Sequence, residues 1–269
     1  MRLFRWLTAA ALLAYIAIVA IMYGAQRKLI YSNDDNGALA AANWEAIRGA
    51  ERVRLTTPDG ERLAAWYAAP KAGKSVFLFF HGKGGGLARK KWRWQRIRKV
   101  GAGIFTFSYR GYPGSTGTPS EAGLNRDAAA AYQWLTKRHP ADQIVLHGLS
   151  LGTGVAVTLA TQIKARALIL EAPYTAIVDV AAERYPFLPV RQLLWDKFLS
   201  RERIARVNMP VMIAHGTRDS VIPFAHARRL YERAIQPKHL TVMPGSDHST
   251  LVRDGLYRHI WRFLAQHRN

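Results

Sequence analysis

Six short apolar runs dominate this chain: SVFLFF (75–80), GIFTFSY (103–109), QIVLHG (143–148), ALILEA (167–172), VMIAHG (211–216) and HLTVMP (239–244). Longer amphipathic or alanine-rich stretches separate them at 87–100, 120–138, 151–163, 223–235 and 251–266. The runs are too short for typical helices and apolar throughout, so as strands they need cover on both faces. Strand and helix alternating in this way give an α/β fold with a mostly parallel central sheet and helices on both sides. Ahead of them, RVRLTTPDGERLAAWYAAP reads as two strands around a Pro-Asp-Gly turn, so a hairpin opens the domain and makes the sheet mixed. No segment repeats at a fixed period, which removes solenoids and propellers. In open α/β sheets ligands bind beyond the carboxyl ends of the strands, and chemistry is sought there.

The sequence GLSLG ends one such strand and opens the helical stretch 151–163. A Gly-x-Ser-x-Gly pattern in strand–turn–helix context projects its serine, Ser150, from a sharp corner that only flanking glycines tolerate. A serine hydroxyl needs a base. His248, in the polar loop MPGSDHS past the last strand, can reach back over the sheet. Serine, acid and histidine follow one another in this chain order, and HGTRDSVIP supplies Asp219 after strand 211–216. Asp247 and Glu171 are the other candidate acids. Asp247 adjoins the histidine too closely in sequence, and Glu171 is expected to support nearby loops. The glycine-rich turn FFHGKGGG leaves backbone N–H groups free for an oxyanion, with Lys83 and Leu151 as the expected donors.

Other chemistries fit less well. The chain has no cysteine, which excludes disulfides, thiolate metal sites and a cysteine nucleophile. His81, His147 and His215 each precede a glycine at a strand end, but three imidazoles without a carboxylate shell make an incomplete zinc site, so no metal or cofactor is expected. The five remaining histidines, His139, His226, His239, His259 and His267, are expected on solvated surfaces or element edges.

The N-terminus points to a membrane. From Trp6 to Ala25 no residue is charged, and twenty helical residues at 1.5 Å each span about 30 Å, the thickness of a bilayer core. Trp6 and Tyr23 lie near the ends, where interfacial rings prefer to sit. A cleaved signal peptide would have a shorter apolar region and small residues before its cleavage site, and Tyr23 fits that poorly. The expectation is a single-pass anchor (1–28), a connector (29–50) and a soluble domain (51–269). Arg2 and Arg5 before the span balance Arg27 and Lys28 after it, leaving only a slight lean to an extracytoplasmic catalytic domain.

Together, HGKGGG, SYRGYPGSTG, GLSLGTG, EAPYTAI, HGTRD and PGSDH resemble the α/β-hydrolase superfamily, in its branch of membrane-anchored lipase, thioesterase or serine-aminopeptidase-like enzymes. The resemblance covers about 51–269 and implies an acyl-enzyme mechanism on lipophilic esters or thioesters, with a peptidase on the same residues as alternative. Relatives usually read His-Gly-Asn where this chain has Lys83, and Asp where it has Ser108. The resemblance also favours a cap in the insertion at about 174–207, with Tyr185, Phe187, Leu188 and Trp195 facing an acyl chain over Ser150. A non-catalytic, membrane-anchored binding protein is the rival of different class.

Charge is the last clue. A net charge of +21 concentrates partly between Lys83 and Arg110, where nine Lys or Arg occur without Asp or Glu. Such a run is first a solvated face, then a surface for anionic lipid. No recognition motif accompanies it, so nucleic acid is not expected as a partner.

Overall fold

The computed structural model describes residues 1–31, 49–84 and 91–267. Eight strands form one sheet in the order β1-β2-β4-β3-β5-β6-β7-β8. They are β1 (Glu51–Thr56), β2 (Arg62–Ala68), β3 (Val76–Phe80), β4 (Gly103–Phe107), β5 (Ile144–Leu149), β6 (Ala167–Glu171), β7 (Val211–Gly216) and β8 (Lys238–Met243). The hairpin β1–β2 is antiparallel and joins β4 antiparallel, while every pairing from β4 to β8 is parallel.

Period-two alternation sends each central strand into two cores. Val76, Leu78 and Phe80 pack on one face with Leu124, Val155 and Leu230. Phe77 and Phe79 pack on the other with Trp94, Ile260 and Phe263. The first face is covered by α3 (Glu121–Thr136), α4 (Leu151–Ala160) and α8 (Ala225–Arg233), the second by α2 (Lys91–Lys99) and α9 (Leu256–Gln266). Every residue of β3, β4, β5, β6 and β7 is buried, whereas edge strand β1 exposes Glu51, Arg52 and Arg54, and edge strand β8 exposes His239 and Val242 with Lys238 half-buried. Charges along an edge strand such as β1 discourage pairing with another chain.

The N-terminal helix α1 (Arg2–Ile30) has 29 residues and is the one described helix long and apolar enough to cross a membrane. It is exposed up to Ile18. Beyond that Val19, Met22, Gln26 and Ile30 recede from solvent at spacings of three and four, the stripe of a helix face packed on a neighbour. The neighbour is the insertion between β6 and β7, which holds the short helices α5 (Ile177–Arg184), α6 (Val190–Leu193) and α7 (Ser200–Arg203). Arg27 pairs with Asp196 at 2.9 Å, and Asp196 also accepts the first N–H of α3, from Glu121. The expected connector begins later than position 29, because α1 runs through Ile30; its residues 32–48 lie outside the described residues, as do 85–90.

Candidate active site

Ser150 is the pivot between β5 and α4, and its backbone sits at φ 51°, ψ −119°. Positive φ is uncommon and costly for a residue with a Cβ, so surrounding structure must enforce it. A Cβ on Gly152 would fall 2.2 Å from the carbonyl oxygen of Phe80, and one on Gly148 would fall 2.6 Å from that of Gly152. Both glycines are therefore required by close backbone approach, and the elbow is built from this crowding.

His248 lies between Ser150 and Asp219. Its Nε2 is 3.0 Å from Ser150 Oγ, and its Nδ1 is 2.8 Å from Asp219 Oδ2. The Asp219 side chain is fully buried and accepts three more contacts: the backbone N–H groups of Val221 (2.9 Å) and Ile222 (2.8 Å), and His215 Nε2 at 3.1 Å. Burial alone would raise its pKa, but hydrogen bonds from His215, His248 and the Ile222 amide outweigh it and hold the carboxylate well below its ordinary range. An ionised acceptor of this kind directs the Nδ1 proton toward itself and leaves Nε2 free to accept from the serine.

The loop carrying His248 is held by backbone fit. A Cβ on Gly216, at the end of β7, would meet the carbonyl of Ser246 at 2.2 Å. Asp247 accepts from the Ser220 N–H (2.9 Å) and from the His248 N–H (2.7 Å). It ties the two loops together and does not face the imidazole.

Glu171 has a different neighbourhood. It takes both terminal nitrogens of Arg93, at 2.6 and 2.9 Å, and the Nε2 of His147 at 3.1 Å. Burial opposes its ionisation, yet the Arg93 charge and the His147 and Arg93 hydrogen bonds keep it ionised, well below the usual carboxylate range. His147 is depressed by its own burial and stays neutral. The other two strand-end histidines also have local partners: His81 Nδ1 contacts the Gly82 carbonyl, and His215 Nε2 the Ile222 carbonyl. Among the described residues no group of histidines and carboxylates could hold a metal ion. His226, expected at a surface, is buried between Thr175 (2.8 Å) and Glu183 (3.0 Å), because α8 turns it under the insertion.

A cleft of about 840 Å³ opens beside Ser150 and His248. Leu149, Val221, Val252 and Trp92 give it apolar walls, and Lys83, Arg96 and Arg253 bring cations to it. Lys83 and Leu151 carry the backbone N–H groups expected to face an oxyanion. Gly82 packs beside Ser150, and neither N–H donates to another described residue. Leu151 is also the first residue of α4, whose N-terminal partial positive charge points at the same place.

An alpha/beta hydrolase domain model matches residues 73–257, and the strand order and elbow agree with it. The chain belongs to the α/β-hydrolase family. This hydrolase is 36% identical over 251 residues to an uncharacterised protein of Mycobacterium tuberculosis, covering 91% of this chain and 89% of the relative. It is 34% identical over 199 residues to the lysophosphatidylserine lipase ABHD12 of Danio rerio, covering 66% of this chain and 52% of that one. Among solved structures, an esterase of Pyrococcus furiosus superposes with a TM-score of 0.67 at 17% identity, over 82% of this chain and 91% of the other. The fold is thus that of an α/β-hydrolase.

The insertion departs from expectation. Tyr185, Phe187, Leu188 and Trp195 do not line the cleft at Ser150. Tyr185 and Leu188 instead line an apolar groove against α1, and Phe187 and Trp195 hydrogen-bond to α1 residues. The physical reason is that α1 supplies their partners: an apolar groove with Val19 and Met22 for Tyr185 and Leu188, the Tyr15 hydroxyl for the Phe187 carbonyl, and Tyr23 and Gln26 for Trp195. The basic run also splits: Arg93 and Arg110 turn inward to buried carboxylates, while Arg96 stays at the cleft. Trp92, Val221, Val252 and Arg253 went unrecognised as cleft residues; only Trp92, interleaved in the basic run, left any trace in the sequence.

Proposed function

We propose that this protein is a membrane-anchored serine hydrolase that cleaves carboxylic esters or thioesters of lipophilic acyl groups. One observation carries it: a single imidazole bridges Ser150 Oγ at 3.0 Å and a buried, ionised Asp219 at 2.8 Å. In this scheme His248 Nε2 takes the Ser150 proton as Oγ attacks the acyl carbon. The backbone N–H groups of Lys83 and Leu151 receive the oxyanion, and the proton then passes from His248 to the departing alcohol or thiol. Water, activated by the same histidine, releases the acid from the acyl-enzyme and regenerates the serine.

Substrate class is supported by the cleft. Leu149, Val221, Val252 and Trp92 suit an acyl chain, and each buried methylene adds about 0.8 kcal/mol. Lys83, Arg96 and Arg253 suit an ester whose alcohol portion carries an anionic group, in keeping with the zebrafish relative named as a lysophosphatidylserine lipase. The exposed apolar turns of α1 support the anchor. The test is turnover by purified full-length protein on an acyl-ester series of rising chain length, with Ser150→Ala as blank. Rates that climb from acetyl to medium chains support the assignment; rates that fall steadily from acetyl upward contradict it.

A further inference from the structure

The insertion touches α1 at graded heights. Tyr15 donates its hydroxyl to the Phe187 carbonyl at 2.9 Å. The Trp195 indole donates to the Tyr23 hydroxyl at 2.9 Å, and the Trp195 backbone N–H to Gln26 Oε1 at 2.8 Å. Arg27 then pairs with Asp196 and lies 5.2 Å from the centre of the Trp195 ring. At 1.5 Å per residue these contacts climb about 18 Å along the helix. The part of α1 before Tyr15 amounts to only about 20 Å, short of the roughly 30 Å hydrocarbon core. A spanning α1 must therefore take the tip of the insertion into the lipid with it.

We propose that residues 185–195 form a second membrane-embedded element, which enters one leaflet of the bilayer alongside the C-terminal half of α1. This rests on the anchor assigned to α1 above. Polarity is graded as a leaflet requires. Phe187, at the deepest contact, is 62% exposed, and Leu188, Val190, Leu193 and Leu194 face an apolar groove against Val19 and Met22. Trp195, nearer the helix end, is 49% exposed at the height where interfacial rings gather, and the charges of Arg27 and Asp196 come outermost. Arg191, the one charged residue in the segment, is paired with Asp179 at 2.8 Å. The Tyr15 bond has a purpose in lipid that it lacks in water, since a bare carbonyl in hydrocarbon is costly. The result is a domain gripped at two points, with the tilt of its cleft fixed relative to the leaflet.

The chain's lack of cysteine makes the test direct. Single variants Phe187→Cys, Leu12→Cys and Lys74→Cys of the full-length protein are labelled with a polarity-sensitive nitrobenzoxadiazole dye. They are reconstituted in phosphatidylcholine–phosphatidylglycerol vesicles containing lipid spin-labelled in mid-chain. Leu12 and Phe187 are exposed side chains, and Lys74 is exposed at the opposite end of the sheet from Ser150. The expected result is a loss of fluorescence at Phe187 comparable to that at Leu12, with little at Lys74. Quenching at Leu12 without quenching at Phe187 overturns the embedded insertion and leaves the anchor standing. Quenching at neither overturns both.

Discussion

Arg93 lays both terminal nitrogens on the carboxylate of Glu171, at 2.6 and 2.9 Å, in the wall of the cleft that contains Ser150. Both side chains are almost wholly buried. Removing one partner of such a pair strands the other's charge and typically costs about 3–5 kcal/mol. Glu171→Gln should therefore lower the urea midpoint of unfolding clearly, while protein that remains folded keeps its turnover. Unchanged stability with abolished turnover would make Glu171, not Asp219, the acid that orients His248.

Stability should fall on acidification in two windows. His147 and His226 are held below their ordinary pKa, mainly by burial, so the unfolded chain binds protons more readily and stability is lost as pH drops below about 6.5. Glu171 and Asp219 are likewise depressed, and their contribution is lost below about pH 4. Urea midpoints measured across this range should decline steadily toward acid. A midpoint that rises on acidification would contradict the neutral buried histidines.

Asp219→Asn keeps the shape of the side chain but removes the charge that fixes the His248 tautomer. Turnover should drop by about 10⁴ with little change in KM, and the unfolding midpoint should fall as well, because the hydrogen bonds that favour the ionised carboxylate are weakened. Steady-state kinetics beside a thermal melt would check this, and a drop of less than about tenfold would move the orienting role elsewhere.

Gly152→Ala places a methyl 2.2 Å from the Phe80 carbonyl, where only backbone movement can relieve it. The elbow and the end of β3 must separate, so the variant should either fail to fold or lose turnover by orders of magnitude. Wild-type rates in Gly152→Ala would show that the close approach is not needed.

How much of this was legible beforehand follows from what sets each feature. The strands were readable because fully buried parallel strands need continuous apolar runs, and Phe77 to Phe80 satisfy both cores at once. Ser150, Asp219 and His248 were readable as candidates because each ends a strand or follows one, where topology alone brings loops together. The insertion was not. An aromatic segment such as 185–195 can cover a cleft or a helix equally well, and only the register of Tyr15, Tyr23 and Gln26 selects the helix. Arg93 was hidden for a similar reason: within a basic run, nothing local distinguishes the arginine that meets a buried carboxylate from those that meet water.

The central claim is that Ser150 is a nucleophile activated by His248, and covalent capture tests it most directly. Full-length protein is treated with a fluorophosphonate probe and digested, and the modified peptide is identified by mass. The account predicts a phosphonate adduct on Ser150 in the wild type, none in Ser150→Ala, and strongly slowed labelling in His248→Ala. Labelling that persists in Ser150→Ala, or a folded wild type that takes up no probe, would contradict it.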